Sequence, residues 1–123
     1  MGLENNMLLL ARNDKEVSEL ILSTTNDELK QNIAAYHTQQ SVEKVIKYLL
    51  IEARGFAGVE HNIYKLTQEA DVEKIVIPEW VKEGDYELSS WATTIRYNSN
   101  FKTDRDKIKE YNNNLSEWIN SLK

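Results

Sequence analysis

The chain has 123 residues, within the range of one domain and long enough to enclose one hydrophobic core. It contains no cysteine, which excludes disulfides, thiolate nucleophiles and thiolate metal sites and fits a reducing compartment. A net charge of −5, from 15 basic and 20 acidic residues, argues against nucleic-acid binding driven by bulk charge alone.

With only four glycines and one proline, the chain has few residues that interrupt helices. The first predicted helix runs from Leu3 to Ser23, with Leu9, Val17, Leu20 and Ile21, flanked by Leu8 and Leu10, approximating a 3.6-residue period. The polar stretch Ser23 to Asp27 supplies a turn and offers Asn26 or Asp27 as a cap for the next helix. That second helix runs from Glu28 to Ala53. Val42, Val45, Ile46, Leu49, Leu50 and Ala53 fall within an arc of about 140° on it. His37, Gln40, Lys44 and Lys47 lie opposite, and Arg54-Gly55 is a normal helix-ending pair. A short third helix fits His61 to Ala70.

Val72 to Ile77 is β-branched, but a single strand has no partner in a chain this helical and reads as a connection. Pro78 opens a fourth helix reaching Tyr97, weakened near Gly84, with Trp80, Leu88, Trp91 and Ile95 as core contacts. After the loop Asn98 to Asn100, Thr103 or Asp104 caps a fifth helix whose apolar stripe is Ile108, Tyr111, Leu115, Trp118, Ile119 and Leu122. The fold expected is all-α, one domain over residues 1–123, an antiparallel up-and-down bundle of four to five helices. Trp80, Trp91 and Trp118 belong in its core.

No apolar run approaches the roughly 20 residues of a bilayer-spanning helix. The apolar patch Met7 to Ala11 has no basic residue before it, unlike a signal peptide. A cytoplasmic protein without membrane contact is expected. Charge is uneven: seven carboxylates against Lys74 and Lys82 lie between Glu69 and Glu87, and five basic residues against two aspartates between Arg96 and Lys109.

Phosphate-cradling glycine loops, nucleophile elbows and dinucleotide fingerprints are all missing. The two histidines, His37 and His61, sit on different elements without metal-ligand spacing, so no metal and no cofactor is expected. Hydrolysis needs a nucleophile or an activated water beside a tuned base, and no such pair is legible. Binding needs only charge and stacking. Lys44 and Lys47 would neutralise phosphate, His37 and Gln40 would fix a base or ribose, and Arg96 with Tyr97 would grip phosphate and stack. His61 is a further candidate contact, or a structural residue at a helix start. The competing reading of the α-helical polar strip is an ordinary solvated face.

Three stretches in order, Ala34 to Leu50, Gly58 to Leu66 and Thr93 to Phe101, resemble the HEPN family, a nucleotide-binding domain of higher eukaryotes and prokaryotes. The resemblance rests on Ala34, His37, Gln39, Gln40, Glu43, Lys44 and Lys47 in the second helix, on His61 and Leu66, and on the pair Arg96-Tyr97. The first helix also resembles that family's. The resemblance implies a helical bundle that binds nucleotide or RNA, associates as a homodimer, and works beside a nucleotidyltransferase protein in a toxin–antitoxin pair. A subset of the family are metal-independent RNases carrying an arginine and a histidine four to six residues apart. Here no histidine follows Arg96. Arg54 and His61 match the spacing, but they straddle Gly55 and Gly58 and would share no rigid helical face, so the match reads as coincidence. The reading that results is a binding module in which Lys44, His61 and Arg96 converge on one groove. The alternatives are an RNase toxin and a pure protein-interaction module.

Overall fold

The computed structural model describes residues 5–97 and 100–123, without the side chains of residues 95–97. It contains six helices: α1 (Met7–Thr24), α2 (Glu28–Arg54), α3 (Ile63–Val72), α4 (Glu79–Glu83), α5 (Asp85–Tyr97) and α6 (Arg105–Ser121). No strand occurs among the described residues. The expected fourth helix is two, because the chain breaks at Gly84, the C-cap of α4. The expected start at Leu3 and most of the loop Asn98 to Asn100 lie outside the described residues.

Capping accounts for the helix ends. The Asp27 carboxylate accepts from Lys30 N, and Gly55 closes α2 in the left-handed region at φ 90°. The Asp104 carboxylate accepts from the backbone of Asp106 and Lys107. The Arg105 guanidinium donates to the carbonyls of Leu22 and Thr25, clipping the start of α6 onto the end of α1.

α2 is the central element, packed by α1, α3, α5 and α6. Enclosure on several sides changes what its two faces mean. Val42, Val45, Ile46 and Leu50 are buried as the periodicity predicts, but so are Gln39, Glu43 and Lys47. Lys47 is therefore no part of a solvated face. Its ammonium lies between Glu43 and His61, just before the start of α3.

The first helix turns a different face inward from the one its leucines suggest. Ala11, Ser18 and Leu22 are its buried residues, whereas Leu9, Leu10, Val17 and Leu20 are exposed. Close approach to α2 selects small side chains: the Ser18 hydroxyl meets that of Thr38, and the Ser41 hydroxyl donates to the Ala11 carbonyl at 2.7 Å. The spacing between packed helices depends on the side chains at the contact, so a seam of alanine, serine and threonine outcompetes the bulkier stripe.

At the centre of this seam sits a ring of three buried polar groups from three helices. The Ser18 and Thr38 hydroxyls are 2.9 Å apart, Thr38 donates to Asn112 Oδ1 at 2.8 Å, and Asn112 Nδ2 donates to Ser18 Oγ at 2.9 Å.

The three tryptophans are in or against the core as expected. Trp80 meets Trp118 edge-on at 5.6 Å, and the Tyr111 ring lies 5.5 Å from Trp91 and 5.9 Å from Trp80.

Candidate functional site: two carboxylate-centred clusters on the central helix

The polar strip of α2 divides between two carboxylates. His37 and Lys44 lean toward α1, where the Asp14 carboxylate takes both. His37 Nδ1 is 2.9 Å from Asp14 Oδ1, and Lys44 Nζ pairs with Oδ2. Burial raises the Asp14 pKa, but the contacts with His37 and Lys44 outweigh it and hold the group below the usual carboxylate range. The sign follows: the stability Asp14 contributes is present above its unfolded pKa and is lost as pH falls through its lower folded value. Acid titration of unfolding should therefore show Asp14→Asn less stable than the native chain near neutrality, with the gap closing at acid pH. The gap is expected to stay at or below about 1 kcal/mol, as for other partly exposed pairs. A gap that widens on acidification would contradict this.

The second cluster is built around Glu43, one turn from Lys47 and facing the start of α3. Lys47 Nζ lies 3.1 Å from Glu43 Oε2, in an i,i+4 pair whose side chains are only 9% and 5% exposed. His61 Nδ1 lies 2.9 Å from the same oxygen and 3.5 Å from Lys47 Nζ. The other carboxylate oxygen accepts from Gln39 Nε2 at 3.3 Å, and Gln39 Oε1 accepts from Gln40 Nε2 at 2.7 Å. Glu60 fixes the approach to α3 by accepting from the backbone of His61 and Asn62. The Ser89 hydroxyl of α5 accepts from Ile63 N, which ties this end of α3 to α5.

His61 combines anchoring with exposure. Its side chain is 75% exposed although Nδ1 is bound to an enclosed carboxylate. The bond from Nδ1 to Glu43 sets the ring so that Nε2 lies on the edge away from that carboxylate. The imidazole is thus oriented like a base or ligand contact held by a carboxylate.

Sequence reasoning named His37, Gln40, Lys44, Lys47 and His61, and the structure sorts them. Gln40, Lys47 and His61 share the Glu43 network, while His37 and Lys44 share Asp14. Both lysine ammoniums are already neutralised. The backbone of α5 carries Arg96 and Tyr97, whose side chains lie outside the described residues. Two residues central to the clusters were not among the candidates. Glu43 has a visible signal in its spacing to Gln39 and Lys47; Asp14 has none, because its partners are distant in sequence.

Arg54 is committed elsewhere. Its guanidinium donates to the carbonyls of Phe56 and Ala57, pairs with Glu69 at 2.8 Å, and stacks on the Phe56 ring at 4.3 Å. These contacts fold the α2–α3 loop.

Fold and site define a class: a helical bundle whose long central helix meets two carboxylates, Glu43 of its own and Asp14 of α1, that organise its histidine and lysines and His61. The HEPN domain family matches residues 9–123, nearly the whole chain, and the chain belongs to that family. No curated protein and no solved structure matches it. Among the described residues no helix is long and apolar enough to cross a membrane.

Proposed function

We propose that this HEPN domain binds a nucleotide or a short RNA segment over the surface where α2 meets α3, and does so beside a nucleotidyltransferase partner. The observation that carries the reading is His61, exposed yet oriented by buried Glu43 through Nδ1, with no bond to Nε2 among the described residues. Gln40 offers an amide beside it, held through Gln39. Because Lys47 is spent on Glu43 and Lys44 on Asp14, neither is a free counter-charge for phosphate. That demand falls on Arg96, whose fork suits phosphate oxygens, with Tyr97 beside it for stacking.

A thermal-shift series against adenine and guanine nucleotides and a short single-stranded RNA tests this. Ligand at a hundred times its dissociation constant adds about 2.7 kcal/mol, which raises the melting temperature of a domain this size by several degrees. The shift should vanish in His61→Ala and in Arg96→Ala while both variants remain folded. No shift with any of these ligands sinks the reading.

The carboxylate–histidine pair favours a second reading, metal-independent RNA cleavage: His61 Nε2 takes the proton of the substrate's 2′-hydroxyl, the 2′-oxygen attacks the adjacent phosphorus, and the P–O5′ bond breaks to leave a 2′,3′-cyclic phosphate and a 5′-hydroxyl protonated by solvent.

A further inference from the structure

We propose that the cavity between the first half of α1 and the last turns of α6 binds a small zwitterion, a free α-amino acid with a short aliphatic side chain. The cavity measures about 320 Å³. Arg12, Lys15 and Glu16 line it from α1, and Ser116, Ile119 and Asn120 line it from α6. No member of either carboxylate cluster lines it, so the site is independent of the nucleotide reading.

Arg12 is the observation that points to a ligand. Three arginines have described side chains. Arg54 is held by Glu69 and two carbonyls, and Arg105 by the carbonyls of Leu22 and Thr25. Arg12 is only partly exposed, yet among the described residues it makes no ion pair or hydrogen bond through its side chain. Glu16 stands one turn further along the same helix, and its carboxylate is unpaired there too. Opposite charges at this spacing are neighbours on a helix surface and attract. The next such pair, Lys15 with Glu19, does close, at 2.9 Å. Arg12 and Glu16 thus offer opposite charges to one cavity without satisfying each other.

A molecule that carries both charges satisfies both. The guanidinium fork suits a planar carboxylate, which it grips through two parallel hydrogen bonds. Lys15 and Lys123 add positive charge to the lining. The Lys15 side chain is 12% exposed and gives one ammonium proton to Glu19, so two donors remain. The ligand's ammonium group pairs with Glu16. The last turn of α6, which carries the negative end of the helix dipole, favours the same charge. Ser116 and Asn120 supply a hydroxyl and an amide with no hydrogen bond to another described side chain. Ile119, a core residue at 1% exposure, offers the apolar contact for a short carbon body. A phosphate dianion fits less well, because Glu16 repels its second charge and no part of it suits Ile119.

Two-dimensional NMR of the isotope-labelled chain tests the proposal by titration with L-valine, with isovalerate (valine without its amine) and with isobutylamine (valine without its carboxylate). Valine should give saturable shifts at Arg12 Nε–H and at the Ser116 and Asn120 amides, leaving Arg54 Nε–H in place. Each analogue should bind at least about tenfold more weakly, the worth of one charge-assisted contact. Arg12→Ala and Glu16→Gln should each lose the shifts while keeping the native helical circular dichroism. His61→Ala should keep them, which separates this site from the nucleotide test. If Arg12→Ala fails to fold, Glu16→Gln, at an exposed side chain, decides. Valine shifts that never saturate overturn the proposal, as does isovalerate binding as tightly as valine. So does a folded Arg12→Ala that keeps the valine shifts, the result expected if Arg12 only serves the carbonyl end of α6.

Discussion

Glu43→Ala should cost about 3 kcal/mol of folding stability, close to 10 °C in melting temperature for a domain of this size. The carboxylate is 5% exposed and serves three donors at once, from Gln39, Lys47 and His61. Its loss leaves the ammonium of Lys47, itself 9% exposed, without a counter-charge. Removing one partner of a buried pair costs more than the pair is worth, because the remaining charge stays desolvated. The expected loss sits at the low end of that range because His61 Nδ1, 3.5 Å from Lys47, can switch tautomer and accept from it. The double variant Glu43→Leu, Lys47→Met removes both charges and should recover most of the loss. Chemical denaturation of the three proteins decides it. A single variant as stable as wild type would mean that solvent reaches Lys47 freely.

Gly84→Ala should destabilise by about 2 to 3 kcal/mol, against the backbone's own preference. Gly84 has φ −96°, a conformation alanine adopts readily, and there the backbone effect alone favours alanine by up to about 1 kcal/mol. Packing reverses the sign. A Cβ at this position would overlap the Tyr111 hydroxyl and stand 3.0 Å from Cζ and 3.1 Å from Cε1. Trp80 and Trp91 flank the ring and its hydroxyl donates to Glu87 at 2.7 Å, so a shift away from the added methyl gives up those contacts. Burial and the neighbouring Glu87 carboxylate raise the Tyr111 pKa, so the phenol remains the donor. Overpacked cores cost about 1 to 3 kcal/mol. In a Tyr111→Phe background the worst overlap disappears, and Gly84→Ala should cost at least about 1 kcal/mol less. Strict additivity in that cycle would place the strain elsewhere.

Much of the fold was legible because its signals are local. Asp27, Gly55 and Asp104 mark helix ends by hydrogen bonds within a few residues, and the α6 stripe from Ile108 to Ile119 meets no competing face. α1 was harder. Seven leucine, isoleucine and valine residues there allow two arcs, and the choice belongs to α2, whose alanine, serine and threonine seam takes Ala11 and Ser18 instead of Val17 and Leu20. The site was legible by residue type and not by grouping. Gln40, Lys44, Lys47 and His61 were named, but periodicity cannot tell that Lys44 leans to Asp14 on α1 while Lys47 leans to Glu43 beside His61. Burial of Lys47 follows from enclosure of α2 by four neighbours, a tertiary fact with no period of its own.

The ring of Ser18, Thr38 and Asn112 works as a vernier for the bundle. Each member donates once and accepts once within it, so the ring closes only when three helices stand at one relative height. Sliding any helix by a turn would leave apolar contacts roughly as plentiful but would strand buried polar groups at about 1 to 3 kcal/mol each. Leucine contacts tolerate such slippage; this ring does not. Because Asn112 lies 94 residues from Ser18, the ring ties the last helix to the first, and the far end of the chain fixes the height at which its beginning stands.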